Sequence, residues 1–211
     1  MLHSVVGPPY RLLLADPPWP YSDGGSGNGR AKDHYPLMKI DDLFAMPVAD
    51  LMDRDAVLIL WATWPQLDNA FRLVSHWGFD YVTGFPWVKT YEPPWADMFG
   101  NALMRPTFGT GSWVRGCSEP ILIGRKGDAK HPGVPWMGLI SQRMEHSRKP
   151  DCIHEYAESF PGPWLELFAR RRRAGWHVFG NEVESDVSLR QVPSVSVKVS
   201  LVSANNIQVR K

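Results

Sequence analysis

A largely parallel, doubly wound α/β sheet with helices on both faces is the fold the sequence predicts, on three observations. Short unbroken apolar runs recur along the chain, as strands covered on both faces require. They alternate with segments whose apolar residues fall at helical spacing. They also stop abruptly at loops rich in proline and glycine. In such sheets ligands lie outside the carboxyl ends of the strands, so those loops are where function is sought.

Leu12-Leu13-Leu14-Ala15 reads as a buried strand broken by Asp16-Pro17-Pro18-Trp19. Residues 20–36 hold the run Asp23-Gly24-Gly25-Ser26-Gly27-Asn28-Gly29 and read as a mobile loop over that strand end. A helical turn from Asp41 to Met46 stops at Pro47. Ala56 to Ala62 is a second strand, and Gln66 to Trp77 a helix with Leu67, Ala70, Phe71 and Val74 on one face. Phe79 to Lys89 is a third strand interrupted by Gly84 and Pro86, followed by an irregular insertion over 91–116. Glu119 to Gly124 is a fourth strand. Pro150 stands at a first helical position, so a helix runs to Phe160. Trp164 to Ala169 and Trp176 to Phe179 complete the set. Residues 1–184 therefore read as one catalytic-sized domain and 185–211 as a C-terminal tail. In the tail Val195, Val197, Val199 and Leu201 alternate with Ser196, Lys198 and Ser200, which suits an edge hairpin turning at Asn205-Asn206, or a frayed end.

Composition narrows the function classes. With 211 residues, 44% hydrophobic and 21% charged, the chain is an ordinary globular domain. No apolar run is long enough to span a membrane, and the N-terminus lacks the basic and apolar regions of a secretory signal. Cys117 and Cys152 are the only cysteines, which excludes a disulfide scaffold and fits a reducing, cytoplasmic setting. The seven histidines offer no pair at metal-ligand spacing beside carboxylates or cysteines, so no metal is expected. With the four basic residues and one acid from Ser185 onward set aside, residues 1–184 keep 19 basic against 21 acidic residues, a net of −2. Nucleic acid, if bound, is therefore held by a local patch.

Asp16-Pro17-Pro18-Trp19 suits one difficult reaction, alkylation of a planar amine. The exocyclic nitrogen of adenine delocalises its lone pair into the ring and is a poor nucleophile. Acceptors on its two N–H bonds pull it toward a tetrahedral shape and aim the lone pair at a methyl donor. The Asp16 carboxylate supplies one acceptor and the Pro17 carbonyl the other. Pro17 and Pro18 hold the backbone extended and add no competing N–H, and Trp19 offers a face for a flipped base. On the tetrapeptide alone, a stiff turn is the competing reading.

In that context the chain resembles the Asp-Pro-Pro-Trp family of adenine-N6 methyltransferases, which includes the catalytic subunit of the messenger-RNA adenosine methyltransferase and many bacterial and phage enzymes. The match runs from about Tyr10 to Glu182. Its further landmarks, in order, are His34-Tyr35-Pro36, Leu60-Trp61, Trp87-Val88-Lys89-Thr90, Gly109-Thr110-Gly111 with Glu119 to Gly127, His146-Ser147-Arg148-Lys149-Pro150, Glu166-Leu167-Phe168-Ala169-Arg170 and Gly180-Asn181-Glu182. The resemblance implies a class I, Rossmann-like methyltransferase in permuted order, using S-adenosyl-L-methionine. It implies that Asp16 faces both target amine and donor, with Lys149 on the donor's carboxylate, Phe168, Arg170, Asn181 and Glu182 near the donor, and Tyr35 as a gate between donor and adenine. Arg171-Arg172-Arg173 replaces a Pro-His-Asn of the messenger-RNA enzyme, and Glu182 its glutamine.

On the substrate side the expected residues are Trp19, Tyr35 and Lys89 with the cations Arg105, Arg148 and Arg171. Arg115, Arg143 and the run Arg170 to Arg173 are further candidates, the run reading equally as a solvated edge. Trp61, Trp77 and Trp87 are expected in the core, whereas Trp95 and Trp113 are left open. Methylation of adenine in DNA is the leading expectation, within a short or relaxed context because only loops remain to read neighbouring bases. The same reaction on RNA and a non-catalytic subunit of a methyltransferase complex are the alternatives. A homodimer or a second subunit stays open.

Overall fold

Leu12, Leu13 and Leu14 place their side chains alternately on the two faces of a sheet, and both faces are covered, so β1 (Tyr10–Ala15) is an interior strand. β2 (Met52–Trp61), β3 (Asp80–Thr90), β4 (Ser118–Lys126), β5 (Leu139–Gln142), β6 (Trp164–Leu167) and β7 (Trp176–Phe179) complete the order β5-β3-β4-β2-β1-β6-β7. β1 lies parallel to β2 and β6, β6 to β7 and β3 to β5, whereas β4 is antiparallel to both β2 and β3. The sheet is thus largely parallel, as expected, with β4 alone running backwards. The computed structural model describes residues 9–20, 37–91, 105–109, 113–133, 136, 138–144 and 148–189. The loop expected at 20–36 (past Pro20 and up to Pro36), much of the 91–116 insertion including Trp95, and the tail from 190 lie outside them.

Helices cover both faces. Leu13, Leu58, Leu60 and Leu165 pack with Leu43 of α1 (Ile40–Phe44) and with Ala70, Leu73 and Val74 of α2 (Leu67–His76). On the opposite face Leu12, Leu14, Val57, Ile59 and Ile121 pack with Ile153, Tyr156 and Ala157 of α3 (Cys152–Glu158). Two expectations need correcting. Phe71 is 38% exposed, because the buried stripe of α2 runs through Ala70, Leu73 and Val74. α3 starts at Cys152, because Pro150 and Asp151 are spent on its entering turn, where the Pro150 carbonyl accepts from Ile153 N. β5 was not expected: four residues paired on one side carry no continuous apolar signal. Pro86 is tolerated inside β3 because β5 joins that edge only from Trp87 onward. Trp61, Trp77 and Trp87 are buried, as expected.

The packed unit continues past the expected boundary at residue 184. Val187 is 5% exposed within the first core cluster. Asp186 fastens it there: its carboxylate accepts from Val178 N at 2.9 Å and from Arg172 Nη2 at 2.6 Å. Hydrogen bonding to Arg172 holds the Asp186 carboxyl below its ordinary value. A depressed carboxylate stabilises the fold above its unfolded pKa of about 4 and loses that contribution as pH falls through the folded value. Asp186→Ala should therefore cost about 1 to 3 kcal/mol at pH 7 and less at pH 3, read by urea denaturation at both pH values. Among the described residues, no helix is long and apolar enough to cross a membrane.

Candidate active site

Ala15 is in register with Leu60 of β2 and with Leu167 of β6, and Leu167 with Phe179 of β7. The residues that follow each of these, Asp16, Trp61, Phe168 and Gly180, therefore line up along one edge of the sheet. Because β4 is reversed, its first residues come to the same edge, with Glu119 opposite Trp87. The connection from β5 to α3 delivers Lys149 there as well.

A chain of four alternating charges results. Lys149 Nζ lies 3.1 Å from Asp16 Oδ2 and 3.1 Å from Glu119 Oε2, and Lys89 Nζ lies 2.5 Å from Glu119 Oε1. Both ammoniums sit over indole faces, Lys149 5.0 Å from the Trp61 ring centroid and Lys89 4.7 Å from that of Trp87. Burial pushes the Asp16 carboxyl above its ordinary value; Lys149 opposes the rise and Glu119 adds to it. For Lys149, burial works against the charge, but Asp16 and Glu119 outweigh it and hold the ammonium above its ordinary value. Glu119 would also be raised by burial, and Lys149 with Lys89 brings it below its ordinary value. Asp16 thus differs from Glu119 in having one ammonium instead of two, which makes it the more basic carboxylate.

The backbone after Asp16 is fixed by three bonds. Trp19 N donates to the Pro17 carbonyl at 2.8 Å, Met38 N to the Pro18 carbonyl at 3.1 Å, and Trp19 Nε1 to the Trp61 carbonyl at 3.0 Å. The Pro17 carbonyl retains a second lone pair for a ligand N–H. Trp19 itself is 4% exposed and belongs to the first core cluster, so the stacking face expected of it is covered. Its indole instead pins the turn to the end of β2.

At the ends of β6 and β7 the expected donor residues come together. Arg170 Nε lies 3.5 Å from Glu182 Oε1, both partly exposed, and Asn181 is exposed beside them. Phe168 has φ 64°, a left-handed backbone that a bulky residue adopts only under constraint and that collects at ligand sites. Ala169 N donates to the Phe179 carbonyl at 3.0 Å, and Gly180 passes so close that a Cβ there would collide with the Ala169 carbonyl. Gly180→Ala should displace this corner, costing about 1 to 3 kcal/mol of stability. Calorimetry should show weaker binding of S-adenosylhomocysteine by the same variant.

The substrate-side expectations fare unevenly. Lys89 is paired with Glu119, its side chain 23% exposed. The run Arg170 to Arg173 is a set of clasps: Arg171 pairs with Asp151, Arg172 with Asp186, and Arg173 with Glu158 at 2.7 Å, besides Arg170 with Glu182. Arg148 shares Asp151 with Arg171, at 3.7 Å. Arg105 is exposed on the segment that follows β3. Tyr35 lies outside the described residues. Glu119, the hub of the charge chain, was not singled out; an acid opening the apolar strand Glu119 to Gly124 was its signal. Among the described residues, no group of three or more His, Cys, Asp or Glu side chains is placed to hold a metal.

A family model described as MT-A70 matches residues 10–182. The chain is 29% identical over 199 residues to the Type II methyltransferase M.MunI of a Mycoplasma species, covering 82% of this chain and 78% of that protein. It is 29% identical over 192 residues to the N6-methyladenosine RNA methyltransferase MTA1 of Cryphonectria parasitica, covering 85% and 53%. With the N(6)-adenosine-methyltransferase catalytic subunit METTL3 of Homo sapiens the identity is 28% over 189 residues, covering 86% and 29%. The chain thus spans most of the first protein, about half of the second and under a third of the third.

Proposed function

The chain belongs to the MT-A70 family of adenine-N6 methyltransferases, and on that premise we propose that it methylates the N6 amine of adenine in DNA, in a short or relaxed sequence context, with S-adenosyl-L-methionine as donor. The observation that carries the chemistry is the placement of the Asp16 carboxylate, held 3.1 Å from Lys149 Nζ, directly before the Pro17 carbonyl at the end of β1. Two acceptors set there take the two N–H bonds of the amine. Were a bound donor to give its methyl to that nitrogen, the Asp16 carboxylate would stabilise the positive charge developing there and accept the proton released.

The site's donor set fits S-adenosyl-L-methionine, which brings a methyl sulfonium, a carboxylate, an ammonium and a ribose diol. Lys149 uses two of its three N–H bonds on Asp16 and Glu119, leaving one for the donor's carboxylate. Arg170, Asn181 and Glu182 stand at the neighbouring strand ends, where hydroxyls are held in such sheets. When bound, the donor supplies the electrophilic methyl; Asp16, Pro17 and Lys149 orient what it meets.

DNA is the first reading, supported by the 29% identity to a Type II methyltransferase, while relatives named for RNA or adenosine match at 28 to 29%. RNA is the second reading, supported by equal identity to those relatives. Competition between sequence-matched DNA and RNA oligonucleotides for labelled methyl decides between them. Preferential labelling of DNA supports the proposal, and preferential labelling of RNA replaces it with the second reading.

A further inference from the structure

We infer that the arm following β3 is a platform for single-stranded nucleic acid flanking the target adenine, its bases stacking on Trp113 and Phe108 and its phosphates met by Arg105, Arg115 and Arg143; this rests on the nucleic-acid substrate argued above. Trp113 is 99% exposed and Phe108 59%, with Tyr91 beside them at 42%. Large aromatics left in water mark a surface that binds something.

The described limbs, 105–109 and 113–117, are hydrogen-bonded to β3. Thr107 N donates to the Lys89 carbonyl at 2.8 Å and Lys89 N to the Cys117 carbonyl at 2.7 Å, so both limbs of the arm bond to Lys89. Tyr91 N donates to the Arg105 carbonyl at 2.9 Å, and Arg143 N to the Thr90 carbonyl at 2.8 Å. The limbs also close on each other: a Cβ at Gly109 would stand 2.6 Å from the Gly116 carbonyl. Thr107, at the root, is buried.

Charge selects the occupant. Among the described residues of 89–91, 105–109, 113–119 and 138–144, the one acid is Glu119, already held by Lys89 and Lys149. Arg105, Arg115 and Arg143 are all exposed around the aromatics. Aromatic faces interleaved with cations are the surface that tracks an unpaired strand, because every base has a π-face and every linkage a negative charge. The arm also adjoins the reaction centre. Lys89, to which both limbs bond, is the outer member of the chain that runs through Glu119 and Lys149 to Asp16.

Fluorescence anisotropy with labelled oligothymidylate and oligouridylate tests the platform without engaging the adenine pocket. Trp113→Ala should bind about 5- to 100-fold more weakly, the range expected for loss of one stacked base, and Trp113→Phe should restore most of the affinity. Arg115→Ala and Arg143→Ala should each reduce the slope of log affinity against log salt by about one. Affinity for S-adenosylhomocysteine should be the same in all four. A wild-type enzyme that methylates adenine while Trp113→Ala binds and turns over normally overturns the platform alone. So does a Trp113→Ala variant whose lost binding coincides with a dimer-to-monomer change in sedimentation, since the arm would then be a protein contact. A wild-type chain that neither binds nor methylates nucleic acid overturns both the platform and the proposed function.

Discussion

Asp16→Ala is expected to lower methyl transfer by at least about 100-fold, the scale of losing one preorganised group that stabilises charge developing in the transition state. The fold should survive it. Asp16 stands beyond the end of β1 with its side chain 32% exposed, and Lys149 keeps Glu119 as its counter-ion. Asp16→Asn keeps an acceptor oxygen but loses the charge and the capacity to take a proton, so its rate should fall between those of the wild type and Asp16→Ala. Single-turnover rates for the three proteins, with circular dichroism as the check on folding, test this order. Equal rates for Asp16→Ala and wild type would sink the assignment of Asp16.

Replacing Lys149 acts on both halves of the reaction. Lys149→Met leaves Asp16 and Glu119 facing the same space without their shared cation, and Glu119 retains Lys89 while Asp16 retains no lysine. Lys149 is the charge opposing the rise of the Asp16 carboxyl, so its loss should raise that carboxyl further and move the acid limb of the rate profile to higher pH. Donor binding should weaken by about 10- to 100-fold, the worth of a hydrogen bond to a charged group, when S-adenosylhomocysteine is titrated by calorimetry. Oligonucleotide affinity should change little. An unmoved acid limb with unchanged calorimetry would remove Lys149 from the site.

The sequence made the strands legible wherever burial on both faces left a continuous apolar run, as at Leu12 to Ala15, Ala56 to Ala62 and Glu119 to Gly124. It hid β5, whose residues alternate between buried and exposed over only four positions. Asp16 and Pro17 could be named because they break an apolar run with an unusual composition, whereas Lys149, Arg170 and Glu182 could be named only through the family resemblance. Their partners could not. Glu119 meets Lys149 because β4 runs backwards, and Arg172 meets Asp186 across a turn, which no local pattern encodes. The same ignorance misread Trp19: a tryptophan after two prolines looks like an open face until the Trp61 carbonyl is found on its indole nitrogen.

The strand-end edge carrying Asp16, Pro17 and Lys149 is proposed to methylate the amine of adenine. Nucleoside mass spectrometry of DNA and RNA oligonucleotides, incubated with S-adenosyl-L-methionine and either wild-type protein or Asp16→Ala, tests it most directly. N6-methyladenine is expected from the wild type and nearly none from Asp16→Ala. A methyl group on cytosine, no methylated base from the wild type, or undiminished N6-methyladenine from Asp16→Ala would overturn the assignment.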